Sequence, residues 1–407
     1  MDAITQAIRE QYELYPYPAG EPVQRVGTDA RLLLNYGQTP RADGSKPIQV
    51  LDAGCGRGVG LIGCATLQPD VQFTGIDINR TALKEVQEQV AARNLQNVTI
   101  QEVNLMTLEG LEVPEGGFDV IYSSGVLHHL SDPVLGLEKL KSVLAPHGVI
   151  SLMVYATFGR QPLYRLINAT KILVPDGSFE EQIPPTRELA EFCKDTVLKE
   201  TPWDHVPGTN DVEFVDLCLN ANEVSYSVET MWDLLAKTQM RFLRWSIPSQ
   251  WSTDILPEGT LRELALKLDD YNRYKLIEQI SWLPSLELVI GHVENEPRET
   301  FDANAINNNA YAVNPEISFI LESKNHRSGK RPESLMFKRP SDEEPVICAD
   351  INQLIGLSIV SEQTEPFTGD AFVEVMAQDG VPREPAIKVL EYLLDQEVLF
   401  RPHLTDL

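Results

Sequence analysis

The run Val50-Leu51-Asp52-Ala53-Gly54-Cys55-Gly56-Arg57-Gly58-Val59-Gly60 is an apolar stretch that ends in a carboxylate and opens into a glycine-rich turn. Glycines let the main chain turn and approach a ligand without steric cost. A generic strand-to-helix connection can look like this, and so can a dinucleotide fingerprint, whose glycines cradle a pyrophosphate at a helix N-terminus. Asp52 argues against the pyrophosphate, because its charge would lie near a diphosphate; it suits a ligand bearing ammonium and sulfonium groups. Roughly twenty residues further, Gly75-Ile76-Asp77-Ile78-Asn79 puts Asp77 where a carboxylate can accept hydrogen bonds from both hydroxyls of a ribose. NAD enzymes share that feature, so Asp77 alone does not discriminate. In Glu102-Val103-Asn104-Leu105, the polar Asn104 can pair with an adenine amino group while Leu105 packs on its ring. The segment Phe118–Ser124 ends in Ser124 and runs on through Gly125-Val126-Leu127-His128-His129-Leu130. His129 is the candidate general base by pKa range and location, although paired histidines here can equally serve a helix start and packing.

These residues need elements that bring them to one edge. Short apolar β-type runs at 50–54, 71–77, 98–103, 118–124 and 149–155 alternate with helical stretches. Leu83, Val86 and Val90 recur at helical spacing. Asp132 can cap, and Pro133 start, a helix carrying Leu137, Leu140 and Leu144 on one face. Such alternation predicts a parallel sheet covered by helices, with ligands bound outside the carboxyl ends of its strands. Further on, PPTRELAEF reads as a helix start and WDHVPGTND as irregular. YSVETMWDLLAKTQM reads as a helix, MRFLRWSI as a strand, LRELALKLDDYNRYKLIEQI as helical and LELVIGHV as a second late strand completing the sheet. The Asn-rich stretch 294–316 reads as a linker or exposed loop. The last hundred residues restart an α/β pattern of winged-helix-like character.

LDAGCGRG, GIDIN and SGVLHHL, as a set within residues 45–155, resemble the class I S-adenosylmethionine-dependent methyltransferases. The resemblance implies a doubly wound, Rossmann-like α/β sheet of seven strands with one antiparallel strand near its edge. It also implies that Asp52, Gly54 and Gly56 frame the methionine part of the cofactor, that Asp77 holds its ribose and that Ile78 packs on adenine. Asn104 stands where the family usually has Asp. QYELYPYP, MVYATFGRQPLYRL and DLCLNANEVSYSVETMWDLLAKTQMRFLRW are similar to a bacterial subfamily with a C-terminal regulatory module, which includes protein-lysine methyltransferases.

The expected organisation is an N-terminal arm or lid (1–40), a cofactor-binding core (41–155), a helical insertion with the late strands (156–298) and a smaller C-terminal α/β interaction domain (299–407). Tyr12, Tyr15 and Tyr17 with Pro16 and Pro18 make the arm rigid and aromatic, as a lid or as a packed arm. With 60 acidic against 34 basic residues, the formal charge is −26, and a field of that sign repels phosphate backbones. Nucleic acid is therefore not an expected partner. A small-molecule or protein methyl acceptor is, with a homodimer through the C-terminal domain. The basic run Lys324, Arg327, Lys330, Arg331, Lys338 and Arg339 reads as an exposed loop. The five cysteines are scattered and lack CxxC spacing, which excludes a disulfide framework and a zinc site and suits the cytoplasm. Neither a signal peptide nor a membrane span is expected. An NAD-dependent oxidoreductase and a non-catalytic cofactor-binding scaffold are the competing readings.

Overall fold

The computed structural model describes residues 2–19, 27–298, 301, 303, 305–326, 329–339, 342, 344–348 and 350–403, with the backbone alone for 308 and 321–334. The chain divides into two compact units, one of Met1–Gly27 and Ile48–Asn295, the other of Thr28–Pro47 and Glu296–Leu407. The stretch 1–40 is thus shared between the two units.

The first unit is built on a seven-stranded sheet. Its strands are β1 (Gln49–Ala53), β2 (Gln72–Asp77), β3 (Val98–Glu102), β4 (Phe118–Ser124), β5 (Leu144–Tyr155), β6 (Met240–Trp245) and β7 (Ser285–His292), in the order β3-β2-β1-β4-β5-β7-β6. The first five are parallel, and β7 runs antiparallel to both β5 and β6. Val50, Leu51, Val120, Ile121, Val149 and Ile150 are all fully buried; continuous rather than alternating burial marks strands covered on both faces. The strand order reverses between β1 and β4, which opens a crevice beyond their carboxyl ends.

The helices between these strands follow local chemistry. In Pro133–Val143, Asp132 caps by accepting from the Leu135 N–H at 3.0 Å, and Pro133 fills the first turn. Leu137 and Leu140 are buried as expected, but Leu144 starts β5 instead, because its backbone pairs with Phe118. The helix expected to start at PPTRELAEF begins earlier, at Phe179, and runs to Lys194 with Pro184 and Pro185 inside it. A reciprocal capping box between Ser178 and Glu181 starts it there.

In the second unit, strand Ala310–Val313 lies inside the stretch expected to be a linker. It is the centre of a three-stranded sheet between Phe367–Thr368 and Leu399–Phe400, and Tyr311 on it is fully buried. Burying that one aromatic ring outweighs the weak strand propensity of the asparagines around it. Helices Ile351–Ser361, Gly369–Gln378 and Arg383–Asp395 pack with this sheet into a separate core around Phe337, Phe372 and Leu390. The basic run is not a loop: Lys324, Lys330, Arg331 and Lys338 sit on an antiparallel hairpin, Ser318–His326 with Gly329–Lys338, where Lys324 pairs in register with Arg331. Arg327 lies outside the described residues. Among the described residues no helix is long and apolar enough to cross a membrane.

Candidate active site

β1 and β2 run side by side with Asp52 opposite Gly75 and Ala53 opposite Ile76, so Asp77 follows at the tip of the neighbouring strand. The Gly54 and Cys55 N–H groups both donate to the Ile76 carbonyl, at 2.8 and 2.9 Å, and fold the glycine-rich loop back over β2. Asp77 holds that loop: its carboxylate accepts from the Gly56 N–H at 2.9 Å and from the Asn79 N–H at 2.8 Å. Gly54 has φ +88°, and a Cβ there would lie 2.4 Å from a methyl of Val126, so the loop after β4 closes directly on this turn. At Gly56 (φ +50°) a Cβ would meet nothing within 4 Å: that side faces open space.

Asp52 has no hydrogen-bond donor and no ion-pair partner among the described residues, although part of its surface is accessible. Burial, reinforced by the charge of Asp77, pushes its carboxyl up to about 7. Burial also raises Asp77, against the N–H donors of Asn79, Gly56 and Ile78, which favour its ionised form. The nearby guanidinium, Arg57, is engaged elsewhere, with Glu85 at 2.7 Å and the Pro18 carbonyl at 2.5 Å. Two carboxylates at adjacent strand tips, one lacking any donor, form a site that favours a cation.

Beyond β4 the chain makes a single 3-10 turn, Leu127–His129, and both histidines are buried. His129 Nδ1 lies 2.8 Å from the Asn222 carbonyl oxygen. His128 stacks on Tyr155 at 3.9 Å between ring centroids, and neither of its nitrogens has a partner among the described residues. Burial, with the neighbouring His129 and Arg160, holds it well below the ordinary histidine range, so it is neutral. Tyr155, the last residue of β5, is covered by the Arg160 guanidinium at 3.6 Å, and Arg160 pairs with Glu223 at 3.4 Å. Asp216, 3% exposed, accepts from the Tyr12 hydroxyl at 2.8 Å and the Tyr155 hydroxyl at 3.4 Å. Burial first, and Asp216 second, keep both phenols well above their ordinary range, so both remain donors.

The aromatic N-terminal segment serves this arrangement. Helix α1 (Ala3–Leu14) is tied down by Gln11, whose side-chain oxygen accepts from the Ala221 N–H at 2.7 Å, and by Tyr12. Tyr15 packs edge-on against Phe179 at 5.4 Å, and the Pro18 carbonyl then meets Arg57 of the glycine-rich loop. The segment is packed, and it also runs across the loop.

The structure therefore gathers Asp52, Gly54, Gly56 and Asp77 at two adjacent strand tips, with half-buried Ile78 directly following. Ser124 ends β4, exposed and opposite Met153. Asn104 is half-buried, with its amide oxygen already accepting from the Met106 N–H at 2.9 Å. Leu105 is 6% exposed and packs in the main core with Leu127 and Leu137. Asp216, Asn222, Arg160 and Glu223 were not singled out individually from the sequence. All four fall in MVYATFGRQPLYRL and DLCLNANEVSYSV, and that shared familiarity was the available signal.

Sheet order, glycine-rich loop and paired strand-tip carboxylates together define a nucleotide-binding transferase fold. A family model described as a methyltransferase domain matches residues 45–203. An uncharacterized protein of Synechococcus is 31% identical over 295 residues, 68% of this chain and 69% of that one. A ubiquinone biosynthesis O-methyltransferase of Albidiferax ferrireducens is 30% identical over 157 residues, covering 37% of this chain and 59% of its own. Among solved structures, PKMT2 from Rickettsia typhi in complex with AdoHcy aligns over 96% of this chain and 78% of that one, with TM-score 0.65 and 17% identity; that likeness concerns the fold. The chain belongs to the class I S-adenosylmethionine-dependent methyltransferases.

Proposed function

We propose that this methyltransferase holds S-adenosylmethionine on Asp52, Gly54, Gly56, Asp77 and Ile78, with Asn104 and Ser124 at the margins, and passes its methyl group to a small molecule or a protein side chain. One observation carries the assignment: the carboxylate of Asp52, without a donor among the described residues, beside Asp77 at the tips of β1 and β2. The cofactor supplies a methyl carbon already activated by a sulfonium. The chain has to align a nucleophile with that carbon, exclude water and remove a proton where the acceptor carries one. His129 takes that proton. A carbonyl oxygen can only accept, so the Asn222 contact fixes the proton on Nδ1 and leaves the lone pair on Nε2. Tyr12, Asp216 and Tyr155 form the polar wall of the acceptor side.

Calorimetric titration with S-adenosylmethionine and NAD tests the reading: we expect saturable binding of the first and none of the second, and a preference for NAD would defeat it. Conversion to S-adenosylhomocysteine with cell extract as acceptor separates an enzyme from a scaffold. Tight binding with no turnover across many acceptors favours the scaffold.

Asp52 also makes binding proton-linked. Its carboxyl is protonated below about 7 in the free protein, and a cationic ligand favours the ionised form, so binding releases a proton. Affinity should rise about tenfold per pH unit up to that value and level off above it. The same shift makes the free protein lose stability as pH climbs from the ordinary carboxylate range towards 7, since unfolding frees the carboxyl to ionise. Thermal stabilisation by S-adenosylmethionine should therefore be larger at pH 8 than at pH 5.5; equal stabilisation would mean Asp52 does not face the ligand.

The five cysteines are all free and buried, which supports a reducing, cytoplasmic setting. The acidic field argues against a nucleic-acid acceptor. Exposed Ile347 and Ile351 on the second unit offer apolar surface for a homodimer contact.

A further inference from the structure

We propose that Asn222 is the positioning residue that makes His129 a proton acceptor, by fixing its tautomer through the main chain while its side chain locks the histidine turn in place. The inference rests on the reading of His129 as the base. Asn222 contacts this turn three times. Its carbonyl oxygen takes the ring Nδ1–H at 2.8 Å, and its amide nitrogen donates to the carbonyls of His129 at 3.1 Å and Leu130 at 3.0 Å. Each side chain thus bonds the other residue's main chain, so the two segments are tied from both sides. Two neighbours brace it: the Val224 N–H donates to the His128 carbonyl at 2.9 Å, and the Asn220 side-chain oxygen accepts from the Asn222 N–H at 3.2 Å.

The consequence is chemical as well as mechanical. A neutral imidazole free of this carbonyl divides its proton between two nitrogens, and only one of the two forms puts a lone pair on Nε2. His129 Nε2 has no protein hydrogen-bond partner among the described residues, while Tyr12 and Tyr155 stand edge-on to the ring with centroids at 6.3 and 5.6 Å. The nitrogen left basic by Asn222 is thus the one not consumed by the fold. Asn222 touches no reacting atom; it acts through His129 alone.

The test reads the tautomer directly. Long-range proton–nitrogen correlation spectra of protein labelled with 15N-histidine, with His129 assigned by its loss in His129→Gln, should show wild-type His129 protonated on Nδ1. In Asn222→Ala the main-chain acceptor remains but the two side-chain tethers go, so the carbonyl should move off the ring and the ring drift towards a mixture of both tautomers. Asn222→Asp should do so further, because a carboxylate would face two carbonyl oxygens. Asn222→Ser, smaller but still a donor, serves if the alanine variant fails to fold, and should give an intermediate ratio. Folding of each variant is checked by S-adenosylmethionine affinity, which should stay within about twofold. A wild-type ring protonated on Nε2, or an unchanged His129 spectrum in every folded variant, overturns the proposal. The spectra do not depend on turnover, so full turnover in His129→Gln would sink the base assignment separately.

Discussion

Replacing His129 with Gln is expected to lower kcat by about 10²–10⁴-fold, the range by which a positioned base contributes to proton transfer, while S-adenosylmethionine affinity stays within about twofold. The separation follows from geometry. The groups proposed to hold the cofactor belong to β1, β2 and the glycine-rich loop, whereas His129 is held by Asn222. Gln can still donate a hydrogen bond to the Asn222 carbonyl and fill part of the ring's volume, so the turn should survive with its base removed. The loss should shrink for acceptors already deprotonated at the assay pH, because no proton then needs removal. A variant with wild-type kcat on a protonated acceptor would show that His129 only packs the turn. His128→Gln gives the contrast. That neutral ring stacks on Tyr155, with neither nitrogen partnered among the described residues, so its loss should cost stability more than turnover.

The proposed cofactor half of the site was legible in the sequence because its determinants are local. Asp52, Gly54 and Gly56 lie within one turn, Asp77 ends the very next strand, and continuous apolar runs announce strands buried on both faces. The proposed acceptor half was not legible, for a physical reason: it is assembled from contacts over long chain separations. Tyr12 meets Asp216 across 204 residues, and His129 meets Asn222 across 93. The decisive bond at His129 goes to a main-chain oxygen, which every residue type carries, so no side-chain pattern encodes it. Of the secondary-structure errors, the helix start missed a local signal and only the Asn-rich stretch shares the long-range origin. Pro184 and Pro185 suggested a helix start, yet the capping box at Ser178 had already begun the helix; an Asn-rich stretch suggested a loop, yet Tyr311 inside it anchors a core.

Asp77→Ala should weaken S-adenosylmethionine binding by roughly 1–3 kcal/mol, through lost hydrogen bonds to the ribose hydroxyls. The structure adds a second route to that loss. Both Asp77 oxygens already accept from main-chain N–H groups, of Gly56 and of Asn79, so the carboxylate shapes the glycine-rich loop before any ligand arrives. Alanine would leave those donors unpaired and loosen the loop on which Gly54 and Gly56 stand. Asp77→Asn separates the two contributions. It keeps one oxygen but turns an NH2 towards one of the N–H donors, so loop order should suffer while a single acceptor for ribose remains. If ribose recognition dominates, calorimetry should place the asparagine variant between wild type and alanine. If loop shaping dominates, the two variants should bind equally weakly, and amide hydrogen exchange at Gly56 should accelerate in both. Wild-type affinity in Asp77→Ala would contradict both routes, and with them the placement of the cofactor at the tips of β1 and β2.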